Sequence, residues 1–116
     1  MMTLRPSIRI YLCLQPTDMR KQMDGLSVLA QEVIGENPMS GHLFLFHNRG
    51  RNRLKILYWD TNGYVVWYKR LEKGCFSFPK QKEGRVEINE SVFQQLLGGL
   101  RLNHVWEKVD KSKENP

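Results

Sequence analysis

Between His42 and Leu71, three stretches of strand-type sequence follow one another with only turns between them: "HLFLFH", "RLKILYW" and "GYVVWYKRL". Apolar, β-branched and aromatic residues recur in all three. Parallel neighbours need a crossover of a dozen residues or more, which these short connections cannot supply. The three runs are therefore expected to pair antiparallel, as a meander. Asp60-Thr61-Asn62-Gly63 joins the second run to the third, and Asn62-Gly63 is a strong hairpin signal because both residues tolerate positive φ. "NRGRN" makes the earlier connection around Gly50.

The flanking sequence supplies the other elements. "SIRIYLCL" sets Ile8, Ile10, Leu12 and Leu14 on one face and reads as a strand that Pro16 stops. Met19, Met23, Leu26, Ala30, Val33 and Ile34 recur at three-and-four spacing, which predicts an amphipathic helix with Thr17 or Asp18 as N-cap and Gly35 at its C-terminal stop. "GCFSFP" and "RVEI" read as short extended pieces. Asn89 should cap a second helix, "ESVFQQLL", with Phe93, Leu96, Leu97 and Leu100 as its apolar stripe and Gly98-Gly99 at its end. "RLNHVWEKV" fits strand or helix equally. The expected fold class is α+β: an antiparallel β-meander sheet with two helices packed on one face. Residues 1–106 should form a single compact domain, and 107–116 a polar, frayed tail.

Charge is distributed unevenly. The chain carries a net charge of +6. From His47 to Gly74 there are seven cations (Arg49, Arg51, Arg53, Lys55, Lys69, Arg70 and Lys73) against two acids, Asp60 and Glu72, so this segment holds most of the excess. A concentrated surplus points to an anionic partner, nucleic acid first, although a solvated basic loop has the same composition. In an extended chain Arg49, Arg51, Arg53 and Lys55 share one parity and would line one face at about 7 Å intervals, a spacing suited to phosphates. Lys69, Arg70 and Lys73 would extend that patch. Arg20 and Lys21 fall in the first turn of the predicted helix, where cations oppose the macrodipole; the placement makes sense if phosphate docks there, and a solvated helix end that tolerates the cost is the simpler reading. Trp59, Trp67 and Tyr68 lie within the same hairpin. One residue of each adjacent pair, Tyr58-Trp59 and Trp67-Tyr68, is expected in the core; the other is a candidate for a protein interface or for stacking on a base.

Catalytic patterns are missing. His42, His47 and His104 have no metal-ligand spacing, and no phosphate-binding glycine loop or nucleophile elbow occurs. Asp18, Asp24 and Asp60 are the carboxylates that could converge on a metal, but each suits a cap, a helix face or a turn equally well. His47 and Cys75 could meet as a base and a thiol; burial of Cys75 is the simpler reading. The sequence thus predicts no catalytic residues, no metal and no cofactor. Cys13 and Cys75 lie far apart in apolar runs and read as buried free thiols of a reducing compartment. No apolar run approaches the roughly 18 residues of a membrane span, and the opening run is too interrupted by arginine for a signal peptide. A cytoplasmic protein without membrane contact is expected.

Several blocks are familiar: "TDMRKQMDGL", "GHLFLF", "KILYWDTNGYVVWYKRLEKGCF" and the following Pro79. In this order, over roughly Pro6 to Leu100, they resemble the TnpB-like accessory proteins encoded beside the transposase in bacterial insertion sequences of the insertion sequence 66 type. Two positions depart from the usual pattern: Phe78 stands where tryptophan is common, and Gln22 where glycine is. The resemblance implies a non-catalytic helper of transposition that acts with a separate, large transposase. Element DNA, the transposase, or both are the implied partners, and no catalytic residues carry over. Two readings stay open: a subunit that binds element ends through the basic hairpin, and a protein-interaction module that contacts the transposase through the aromatics without touching DNA. A second copy could also pair along an exposed hairpin edge.

Overall fold

The computed structural model describes residues 5–114. Five strands form one sheet: β1 (Ile10–Cys13), β2 (Leu43–His47), β3 (Arg53–Asp60), β4 (Gly63–Arg70) and β5 (Arg85–Ile88), in the spatial order β4-β3-β2-β1-β5. Helix α1 (Met23–Leu29) continues into a π-helical turn over Ala30–Ile34. Helices α2 (Glu90–Leu97) and α3 (Asn103–Glu114) follow the last strand. The class is α+β, and the β2-β3-β4 meander is antiparallel as expected.

Two features differ from the expected architecture. β1 pairs with β2 in parallel, so α1 is a crossover between them. The helices also divide between the two faces of the sheet. Tyr11, Cys13, Phe44, Phe46 and Leu57 face Leu26, Ala30 and Ile34 of the first helix. Ile10, Leu12, Leu43, Leu45, Leu54 and Ile56 face the other way, onto Phe93, Leu96, Leu97, Leu102 and Trp106. The cause lies in the central strands. Every residue of β1 and β2 is buried, and a strand apolar on both faces needs cover on both.

The local differences have local causes. Residues 17–22, expected to be the first helical turn, form a loop. Gln22 is the N-cap, without a side-chain cap bond, and the Leu26 amide donates to its carbonyl at 2.8 Å. Gly35 does end the element, in the left-handed region at φ 81. The β3–β4 loop is Thr61-Asn62, one residue earlier than the Asn62-Gly63 signal, because Asp60 pairs with Gly63. Thr61 takes the positive φ, 55. Placing the turn at Asn62-Gly63 would shift the register by two residues and set Leu57 opposite Tyr68 instead of Val66 and Ile56 opposite Lys69 instead of Trp67, so the cross-strand pairs override turn preference. "GCFSFP" is not a strand, although Phe76 and Phe78 are buried in the core.

Asn89 caps α2 as predicted, its Oδ1 accepting from the Val92 amide at 2.8 Å. Leu100 leaves the stripe and is exposed, since the helix has ended and Gly99 turns at φ 76. The ambiguous stretch is α3. The Trp106 Nε1–H donates to the Ser77 carbonyl at 2.9 Å, and the Asp110 carboxylate accepts from the Lys80 and Gln81 amides. Residues 107–114, expected to be a frayed tail, continue the helix, whose Trp106, Val109 and Asp110 hold it to the rest of the fold. Residues 115–116 of that tail, and 1–4 of the domain, lie outside the described residues.

Candidate nucleic-acid interface

The basic side chains gather at one end of the sheet, where β2 ends, β3 begins and β4 ends. Two loops build the end: 15–22, which follows β1, and 48–52, between β2 and β3. The Thr17 amide donates to the His47 carbonyl at 2.7 Å and draws the first loop against the end of β2. Asn48 shapes the second. Its Oδ1 accepts from the amides of Asn52 and Arg53, both at 3.0 Å, while its Nδ2 donates to Asn52 Oδ1 at 2.7 Å. Asparagine suits this task because its short amide can satisfy turn backbone that has no strand partner.

Between the loops lies an open cleft of about 530 Å³ lined by Arg20, Arg49 and Arg53, together with Thr17, Asp18 and Asn48. Arg20 thus meets arginines that lie far from it in sequence. Arg51 is exposed on the same loop. Its φ of 58 breaks the strict alternation that would align it with Arg49 and Arg53. Arg70 is the cross-strand partner of Arg53, and exposed Lys73 follows just beyond β4.

The cations are not equivalent. Lys55 is buried, and its Nζ donates at 2.8 Å to the carbonyls of both Met19 and Lys21 while lying 5.3 Å from the Tyr68 ring centroid. It clamps the first loop to β3 and offers no surface charge. Lys69 likewise donates to the Leu97 carbonyl at 2.8 Å, where a cation satisfies the end of α2. Arg20 is exposed but forms a forked pair with Asp18, its Nη2 2.7 Å from Oδ2. The hydrogen bonds from Arg20 hold the Asp18 carboxyl down at about 2, so the pair stays ionised. Arg70 bonds Glu72 at 3.1 Å. Among the described residues, Arg49, Arg51 and Arg53 have no carboxylate within ion-pair distance. Lys21 is exposed, but it lies in the loop before α1, with its stem over Gly25, and does not line the cleft.

Other candidates are dispersed. Asp18 sits at the cleft and Asp60 at the opposite end of β3, while Asp24 is exposed on α1. Among the described residues no three His, Cys, Asp or Glu side chains are grouped as metal ligands would be. Cys13 is buried, but Cys75 is exposed, contrary to its apolar flanks, with Sγ 3.5 Å from the Gly50 carbonyl. The buried His47 ring stacks on Phe78 at 4.1 Å and Nδ1 lies 3.2 Å from the Asn48 carbonyl. Trp59 and Trp67 are half-buried, Trp59 edge-on to Tyr64 at 5.0 Å and Trp67 packed on the α2–α3 core. Tyr68 is 49% exposed.

Sequence reasoning misses Asn48 and the clamping role of Lys55. Asn48 has a usable signal, as a turn former at a strand end. Lys55 has only its position inside an apolar strand. Thr17 is a third: the residue lines the cleft and is buried, and its amide ties the first loop to the end of β2.

Known proteins resemble the chain in sequence. Residues 8–107 match the model of a family described as IS66 Orf2 like protein. The uncharacterized protein y4jC of Sinorhizobium fredii is 35% identical over 90% of this chain and 89% of its own length. A second uncharacterized protein of that organism, y4hO, is 33% identical over 84% and 85%. No solved structure matches the chain.

Proposed function

Because the chain belongs to the IS66 Orf2-like family, whose role is accessory to transposition, we propose that it binds element DNA in the cytoplasm and assists a separate transposase without carrying out catalysis itself. The observation that supports this is the convergence of Arg20, Arg49 and Arg53 on one cleft, with Arg51, Arg70 and Lys73 around it. Arg49, Arg51 and Arg53 have no ion-pair carboxylate among the described residues, and such guanidinium groups can pair with phosphate oxygens and, through their planar fork, with guanine edges. Arg20 and Arg70 already pair with Asp18 and Glu72. Lys55 and Lys69 take no part in DNA contact in this reading; they hold the end of the sheet in shape. Lys21 is peripheral.

With roughly four phosphates neutralised, the logarithm of affinity falls with the logarithm of salt at a slope of about −3.6. A fourfold rise in salt then weakens binding on the order of 10²-fold. The test is an anisotropy titration with the terminal repeat of the element against a scrambled duplex, at two salt concentrations. The triple variant Arg49→Ala/Arg51→Ala/Arg53→Ala should bind more weakly and flatten the slope by about 0.9 for each phosphate no longer neutralised. Unchanged binding rejects the assignment. No binding by the intact protein at low salt moves the function to transposase contact through Tyr68 and the half-buried Trp59 and Trp67.

A further inference from the structure

β4 is an edge strand of eight residues, Gly63–Arg70, without proline. Edge strands of this kind are usually blunted by shortness, charge or cover, because their outward N–H and C=O groups are templates for another strand. The other edge, β5, is blunted: it has four residues and carries Arg85 and Glu87. β4 has charge only at its far end, Lys69 and Arg70, and Lys69 is turned onto the Leu97 carbonyl. Among the described residues, no backbone group of β4 bonds to anything outside the sheet. Exposed apolar surface flanks the strand: Tyr68 on it, and Met39 sharing a recess with Tyr64.

We propose that β4 pairs antiparallel with β4 of a second copy, about a two-fold axis beside Trp67. The charge along the hairpin, basic at Lys69 and Arg70 and acidic at Asp60, is complementary to that of a second copy in the antiparallel orientation. Parallel pairing would stack Lys69 and Arg70 on their own kind, which is unfavourable. The antiparallel arrangement sets Arg70 opposite Tyr64, Lys69 opposite Val65 and Tyr68 opposite Val66, and brings each basic end to the turn of its partner, which carries Asp60. An axis through one residue also opposes side chains of equal parity, so the α1 face continues into the α1 face and the α2–α3 face into its counterpart. Arg70 over Tyr64 is a favourable cation–aromatic pair.

The experiment is light scattering on the full chain over a dilution series, with circular dichroism as the check on folding. The expected mass is twice the 13.7 kDa of one chain. Tyr64→Lys opposes like charges at two symmetric places and should weaken the dimer about tenfold. Adding Arg70→Glu creates opposite-charge pairs and should restore it. Removing the Tyr64 ring from Trp59 within one chain cannot produce that restoration. A monomer at every concentration overturns the proposal. So does a dimer indifferent to Tyr64→Lys, or one that Arg70→Glu fails to restore.

Discussion

Lys55 has the chemistry of a phosphate ligand and the surroundings of a structural bolt. Its ammonium group satisfies two carbonyls of the loop that carries Arg20, from a strand that carries Arg53. Removing the ammonium leaves both carbonyls short of a partner in a partly buried place. Lys55→Met should therefore lower stability by about 2 to 3 kcal/mol, read as an earlier urea midpoint. A cost below about 0.5 kcal/mol would mean that water replaces the lysine and that the clamp is dispensable. His47 is the matching case for a base. Burial pushes its pKa below the ordinary 6.5, so the folded state keeps it neutral. The unfolded state binds the proton first as pH falls, so this contribution to stability is complete above about 6.5 and is lost as pH drops toward the folded value. Urea unfolding at neutral pH and near pH 5 should show the fall, and His47→Phe should reduce it; an equal fall in the variant would assign the effect to other groups.

The elements show where local preference yields to packing. Thr61 sits at φ 55, a region that costs a residue with a Cβ about 1 to 2 kcal/mol. Glycine avoids that cost but loses more backbone entropy on folding, roughly 0.5 to 1 kcal/mol. Thr61→Gly should give a net gain of about 0.5 to 1 kcal/mol, seen as a higher urea midpoint at unchanged slope. A loss would indicate that the hydroxyl, 3.5 Å from Asp60 Oδ1, contributes more than the strain costs. The hairpin itself is legible, since the strand runs and a turn signal stand in the sequence. The turn position is not, because it depends on which residues stand opposite across the strands, Val66 beside Leu57 and Trp67 beside Ile56. The start of α1 is obscured for a similar reason. Its periodicity extends back to Met19, but the carbonyls of Met19 and Lys21 are held by Lys55, a residue with no mark of that role in the chain.

At the scale of the whole molecule, a sheet covered on both faces leaves its ends and edges for contact. The cleft arginines occupy one end, and β4 is the long open edge. The sequence by itself determined the class, the β2-β3-β4 meander, the Asn89 cap, the Gly35 stop and the presence of a basic segment, all of which depend on period, turn chemistry and composition within a few residues. Only the tertiary structure decided which cations reach the surface. Parity alone grouped Arg49, Arg51, Arg53 and Lys55, but a left-handed residue in the loop removes Arg51 from the row, and the first loop, folded back over the sheet, covers Lys55. The parallel β1–β2 pair and the division of the helices between two faces were likewise settled by burial, because an apolar strand does not say which helix will cover each side. Arg20 joins Arg49 because a loop after β1 and a loop after β2 meet where parallel strands end together, a proximity that sequence separation conceals.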